Sequence, residues 1–240
     1  MPFAVVTGAG SGIGRASALR LAREGFDVCV LDRSPDAVAA VAATVSEAGR
    51  AAIPAVADVS DREAVDAALA GVLTVDVLVN NAGVFFEKPF EDLTADDFRR
   101  TYDINVVGAV NVTQACLPRM PDRSRIINIA SRAYLGTKNQ AHYVATKAAL
   151  VSLTRTLAQE LSPRAIAVNA VAPGMVLTGL FDGYSPAEVE RFASHYPRGE
   201  VATPEDIAQV VAFFAAPQTQ FITGQTLIVD GGRSIGVAPA

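Results

Sequence analysis

Tyr143 and Lys147 stand four positions apart in AHYVATKAAL (141–150), a stretch otherwise built mostly of small and apolar residues. On a helix, positions i and i+4 share a face with their Cβ atoms about 5–6 Å apart, so phenol and ammonium are neighbours. Two readings follow. Either Tyr143 packs on an amphipathic edge while Lys147 faces water, or the ammonium tunes the phenol for proton transfer. An unperturbed phenol, with a pKa of about 10, is a poor base at neutral pH, and a nearby positive charge favours its phenolate. The second reading makes Tyr143 a general acid/base and Lys147 its electrostatic partner. The pattern Y-x-x-x-K is too loose to choose between them.

Short Val/Ile/Leu-rich runs alternate with segments of helical period along the whole chain. Strands are expected at 3–7, 27–32, 51–58, 75–81, 125–131, 165–173 and 225–232. Several are near-continuous apolar runs, the mark of strands buried on both faces of a parallel sheet. Helices are expected at 13–25, 34–49, 61–70, 94–119, 142–161 and 204–215, the second opening with Ser34 as N-cap and Pro35 at its first position. This alternation predicts an α/β doubly wound sheet with helices on both faces. Ligands of such folds bind at the carboxyl ends of the strands, so those ends must present the chemistry. No linker, repeat or low-complexity tract divides residues 1–240, which read as a single domain.

TGAGSGIG (7–14) sits between the first strand and the first helix. Glycines there let backbone approach a pyrophosphate resting on the helix N-terminus. The spacing is G-x-x-x-G-x-G (Gly8, Gly12, Gly14) rather than G-x-G-x-x-G. Asp32 ends the second strand, where a carboxylate accepts from a ribose 2′-OH and repels a 2′-phosphate; this favours NAD over NADP. Arg33 opposes that preference, because a guanidinium pairs with phosphate.

The composition is that of a soluble globular protein, 50% hydrophobic and 19% charged, with a net charge of −5. Its Lys and Arg are scattered, which argues against nucleic acid. The longest uncharged stretches are interrupted by Pro, Gly, Asn, Gln and Thr, unlike a membrane span. MPFAVVTGAG lacks the pattern of a secretory signal, leaving cytoplasm as the default. Cys29 and Cys116 have no metal-ligand spacing and read as buried free thiols.

Together these motifs resemble the short-chain dehydrogenase/reductase family in its single-domain form, with a Rossmann-type, seven-stranded parallel sheet. They are TGAGSGIG, Asp32, Asp58–Val59, NNAG (80–83), Asn105, Ser131, Tyr143, Lys147, Pro173–Gly174, Thr178 and the closing ITGQTLIVDGG. The resemblance implies that Gly8, Ser11, Gly12, Ile13 and Gly14 line the pyrophosphate and Asp32 holds the adenosine ribose. Asp58 and Val59 would edge the adenine. Asn81 would brace the central strands, while Ala82 and Gly83 leave the cofactor room. Pro173, Gly174, Val176 and Thr178 would orient the nicotinamide. Lys147 would hold the nicotinamide ribose, Ser131 the substrate oxygen, and Asn105 a water relaying protons to Lys147.

The implied reaction interconverts a secondary alcohol and a ketone with NAD(H). A 3-oxoacyl thioester reductase and a sugar or polyol dehydrogenase stay open, as does a non-catalytic dinucleotide sensor. Retention of Asn105, Ser131, Tyr143 and Lys147 argues for the enzyme. Ser131 and Tyr143 are twelve positions apart, one fewer than the commoner family spacing. The expected pocket wall is Phe85, Phe86, Tyr134, Leu135, His142, Leu180, Phe181 and Tyr184, with a lid over 174–203. Small residues Ala145, Ala148, Ala149 and Ser152 would let subunits pair as a homodimer or homotetramer.

Overall fold

The computed structural model describes residues 1–179 and 185–235. Seven parallel strands run β1 (Phe3–Thr7), β2 (Asp27–Asp32), β3 (Ala52–Val56), β4 (Val77–Asn80), β5 (Arg125–Ile129), β6 (Ala167–Pro173) and β7 (Thr226–Val229). Their spatial order is β3-β2-β1-β4-β5-β6-β7, with the reversal between β1 and β4. That reversal is the switch point at which doubly wound folds open a crevice.

The helices are α1 (Gly12–Arg23), α2 (Pro35–Glu47), α3 (Arg62–Ala68), α4 (Ala95–Tyr102), α5 (Gly108–Cys116), α6 (Ala141–Glu160), α7 (Pro186–Ala193) and α8 (Pro204–Ala215). Strand side chains alternate between two cores. Ala4, Val6, Val28, Val30, Val77 and Val79 pack with α1, α2 and α8. Val5, Cys29, Leu31, Leu78 and Ile126 pack with α3, α5 and α6. A strand with helices on both sides has no polar face to present, which is why these runs read as continuous apolar sequence.

Caps set several boundaries. Ser34 accepts from the Ala37 amide at the start of α2, and Thr94, Ser185 and Thr203 form reciprocal capping boxes with Asp97, Glu188 and Asp206. The helix expected over 94–119 runs as α4 and α5 joined through a π turn at Asp103–Val107, and the stretch 174–203 contains α7. S-P-A-E announces that helix as a capping box with proline at the first position.

A buried polar chain ties the middle of the sheet to α5 and α6. Asn80 Nδ2 donates to Thr113 Oγ1 and to Asn128 Oδ1, at 3.0 and 2.9 Å. Asn128 Nδ2 in turn donates to Thr154 Oγ1 at 2.9 Å. These bonds fix the registers of β4 and β5 against the two helices that flank the crevice.

Candidate active site

A cleft of about 1060 Å³ opens along the carboxyl ends of the strands. At its floor, Thr7 Oγ1 accepts from the amides of Asn81 and Ala82, both at 3.0 Å. Asn81 Nδ2 donates back to the carbonyls of Thr7 and Gly8, at 2.9 and 3.2 Å. The ends of β1 and β4 are thereby locked together, so Asn81 is the brace expected of it. The glycines are demanded by this packing. A Cβ on Gly14 would lie 2.0 Å from the Gly8 carbonyl oxygen and one on Gly8 2.8 Å from Asn81 Nδ2, with Gly8 already at φ +61°. Gly14 is buried and does not line the cleft, whereas Gly8, Ser11, Gly12 and Ile13 do.

Asp32 reaches the cleft from the end of β2. Its Oδ2 accepts from the Gly10 amide and its Oδ1 from Ser34, both at 3.0 Å. Arg33 lines the same end, as do Asp58 and Val59. Hydrogen bonds from the Ser60 hydroxyl and amide hold the Asp58 carboxyl below its usual range, with Arg33 adding a smaller pull in the same direction. Ala82, Gly83, Pro173, Gly174, Val176 and Thr178 line the central part. Thr178 Oγ1 is buried without a hydrogen-bond partner, and its methyl would lie 3.2 Å from a Cβ on Gly12. A partnerless buried hydroxyl in the cleft that holds the glycine-lined N-terminus of α1 suits a polar, phosphate-bearing ligand.

Ser131, Tyr143 and Lys147 converge on the other part of the cleft. Ser131 caps the turn after β5, accepting from the Ala133 amide, and its hydroxyl favours the Tyr143 phenolate. Lys147 is 4% exposed. Its Nζ donates to the Ile129 carbonyl at 2.8 Å and lies 5.6 Å from the centre of the Tyr143 ring. The amphipathic-edge reading therefore fails for Lys147, which points inward.

The electrostatic expectation is revised. From the chain's own groups, burial pushes Tyr143 above the ordinary phenol value, and the Ser131 hydroxyl opposes it. Burial also draws Lys147 down to about 8. Desolvation penalises the charged form of both, the phenolate and the ammonium.

Asn105 sits in the π turn, 1% exposed and off the cleft surface. Its Oδ1 accepts from the Val84 amide at 2.7 Å, and its Nδ2 donates to the Val84 carbonyl and Thr146 Oγ1, both at 3.1 Å. It joins the loop after β4 to α6. Gly83 has no side chain where a Cβ would meet Asn105 Oδ1 at 3.1 Å and Lys147 Nζ at 3.7 Å, so those two polar atoms border a common gap.

Of the expected pocket wall, Phe85 and Phe86 line the cleft. Phe85 meets Tyr143 edge-on at 5.0 Å, and Phe86 stacks on His142 at 4.1 Å. His142 is fully buried behind them, Leu135 is exposed, and Tyr134 packs on a small apolar cluster instead. Leu180, Phe181 and Tyr184 lie outside the described residues. Sequence reading missed Met175, Phe192, Tyr196 and Arg233, which complete the cleft. Tyr196 and Arg233 follow a helix and a strand that only tertiary packing brings against Gly174.

Residues 8–234 match the family model described as enoyl-(acyl carrier protein) reductase. The chain belongs to the short-chain dehydrogenase/reductase family. Members of this family are oxidoreductases that bind nicotinamide dinucleotides. This member is 37% identical to the dehydrogenase subunit BbsD of Thauera aromatica, which acts on (2S)-[(R)-hydroxy(phenyl)methyl]succinyl-CoA, over 97% of this chain and 96% of that one. It is 38% identical to the 3-oxoacyl-[acyl-carrier-protein] reductase FabG of Staphylococcus aureus, over 95% and 96%. The angucycline C-6 ketoreductase LanV, solved with bound NADP, superposes with a TM-score of 0.92 at 34% identity, over 98% and 96%. Among the described residues no helix is long and apolar enough to cross a membrane, and no group of three or more His, Cys, Asp or Glu could hold a metal.

Proposed function

We propose that this chain reduces a ketone to a secondary alcohol, with Tyr143 giving the proton. The observation that carries the reading is the Ser131–Tyr143–Lys147 group at the cleft wall, with Lys147 buried and aimed at the phenol's ring. When bound, the nicotinamide dinucleotide supplies the hydride. Ser131 Oγ donates to the substrate oxygen and holds it beside the phenol. Tyr143 keeps its proton at neutral pH as an ordinary phenol does, burial favours that form further, and it meets the developing alkoxide as an acid. Lys147, mostly protonated below about pH 8, stabilises the phenolate left behind. Asn105 is a positioning residue that holds the gap beside Lys147 Nζ open for a proton-relaying water.

The glycine-lined N-terminus of α1, with Ser11 to Gly14, takes the pyrophosphate, and Thr178 Oγ1 gains its missing partner on the same ligand. Asp32 takes the adenosine ribose, Asp58 and Val59 the adenine, and Val176 the carboxamide side. The Asp32 carboxylate in the cleft supports NAD. Arg33 beside it supports NADP as a second reading, and so does the LanV relative with its bound NADP. The exposed Ala145, Ala148 and Ser152 of α6 support pairing of two copies through that helix.

The test is ketone-dependent oxidation of NADH or NADPH followed by absorbance. The expected outcome is a ketone-dependent rate that Tyr143→Phe lowers by about 10²- to 10⁴-fold while dinucleotide binding persists. Undiminished turnover in that variant removes the assignment. A higher kcat/KM with NADPH than with NADH selects the second cofactor reading.

A further inference from the structure

We infer that Arg233 is a substrate-anion anchor, so that the ketone taken here carries a carboxylate or a comparable acidic group. The inference rests on the catalytic reading above and names the class of its substrate.

Arg233 follows the two glycines that close β7, and it lines the same cleft as Tyr143. Its guanidinium lies 5.1 Å from the centre of the Tyr196 ring, and its Nη1 donates to Tyr196 Oη at 3.4 Å. Tyr196 is 5% exposed, and its hydroxyl already accepts from the Met175 amide at 2.8 Å. That amide belongs to the turn after Pro173–Gly174. Tyr196 therefore fixes Arg233 against the end of β6, on the side of the cleft bordered by Met175 and Phe192. The glycine loop and Asp32 belong to the ends of β1 and β2, across the switch point.

The carboxylates around Arg233 are committed elsewhere. Asp230 is 5% exposed, and its two oxygens accept from the amides of Gly232 and Ser234 at 3.0 and 2.8 Å. Glu200 is paired with Arg198 at 2.6 Å. No carboxylate among the described residues forms an ion pair with Arg233. A guanidinium offers five N–H donors in a planar fork suited to a carboxylate. One weak bond to a tyrosine oxygen leaves most of that fork directed at solvent or ligand. Stacking on a tyrosine face, which also favours the cation, holds the fork in place without neutralising it.

The test uses cofactor-loaded enzyme and a series of oxo acids with the carboxylate two to six carbons from the ketone, each beside its methyl ester. Calorimetry reads affinity without requiring turnover. At the best spacing the wild-type protein is expected to bind the acid about tenfold or more tightly than its ester, the scale of one charge-assisted hydrogen bond. Arg233→Gln is expected to bring the acid down to the level of the ester, and Arg233→Lys to restore part of the preference. Equal affinity of acid and ester at every spacing in the wild type overturns the inference, as does a preference that survives Arg233→Gln. Weakened NADH and NADPH binding in Arg233→Gln, with the acid preference intact, assigns the guanidinium to cofactor phosphate and overturns it too. Tyr143→Phe separates the two readings, because it is expected to abolish turnover and keep the acid preference.

Discussion

The two sides of the cleft are built differently. Around the glycine loop, Asp32 and Asn81, polar groups answer one another: Thr7 with Asn81 and Ala82, Asn81 with Thr7 and Gly8, Asp32 with Gly10 and Ser34. Around the ends of β5, β6 and β7, groups are left over. Thr178 and Thr137 have buried hydroxyls without partners, and Arg233 has no carboxylate among the described residues. The first side is a finished cradle whose shape exists before any ligand arrives, which reduces the ordering cost of binding. The second holds polar atoms whose partners must come from what binds. A common ligand part and a variable one would be served by just such a division.

The largest expected effect tests the cradle. Gly14→Ala places a methyl 2.0 Å from the Gly8 carbonyl oxygen, and backbone cannot step aside as a side chain would. Destabilisation of about 3 kcal/mol or more is expected, at or beyond the upper end of ordinary overpacking, read from the urea midpoint. A wild-type midpoint would mean that the loop is softer than its hydrogen bonds suggest, and the contrast between the two sides would break.

Lys147 comes next, because it sits on the reacting side yet is paired only with a carbonyl. Lys147→Met is expected to lower ketone reduction by at least about tenfold, since the phenolate loses its nearest cation. Its stability curve carries a second signature. The unfolded chain keeps the lysine proton up to about 10.5 and the folded chain releases it near 8. The unfolded state therefore binds more protons in that window, and stability rises with pH across it. The wild type is expected to gain up to roughly 3 kcal/mol on Lys147→Met between those pH values, a difference that cancels the opposing contribution of Cys29 and Cys116, whose thiols burial raises to about 12. A pH-independent difference would mean that Lys147 is solvated.

The smallest expected effect sharpens the contrast at the back of the reacting side. His142 is fully buried between Phe86 and Phe98, and neither ring nitrogen has a partner. Burial holds its pKa below the ordinary 6.5, with Asp97 pulling it up and Lys88 pushing it down. The folded state thus prefers neutral imidazole, and stability is lost as pH falls through 6.5. His142→Phe removes two orphaned polar atoms and keeps the ring stack. It is expected to raise stability by about 1 kcal/mol at neutral pH and to blunt the acid-side decline in thermal melts.

Much of this was legible in one dimension because local rules wrote it. Apolar runs of strand length, Ser34–Pro35, and a glycine loop between strand and helix need only their neighbours to be understood. The Tyr143–Lys147 pairing follows from helical pitch alone. The π turn at Asp103–Val107 was hidden, because an Asn turned inward to bond Val84 and Thr146 has the same helical neighbours as one facing water. α7 was signalled by its capping box but read as loop. The sign of the Tyr143 shift was out of reach, since burial is a property of everything packed around a residue.

Sequence by itself determined the alternation of elements, the family and the candidate groups for proton transfer, because periodicity, capping and residue chemistry act over a few positions. The tertiary structure decided which groups are desolvated, which are already bonded and which are left over. It folded Tyr196 against Met175 and set Arg233 on Tyr196 across 37 positions of chain. Burial and long-range pairing are sums over atoms distant in sequence, and no local pattern carries them.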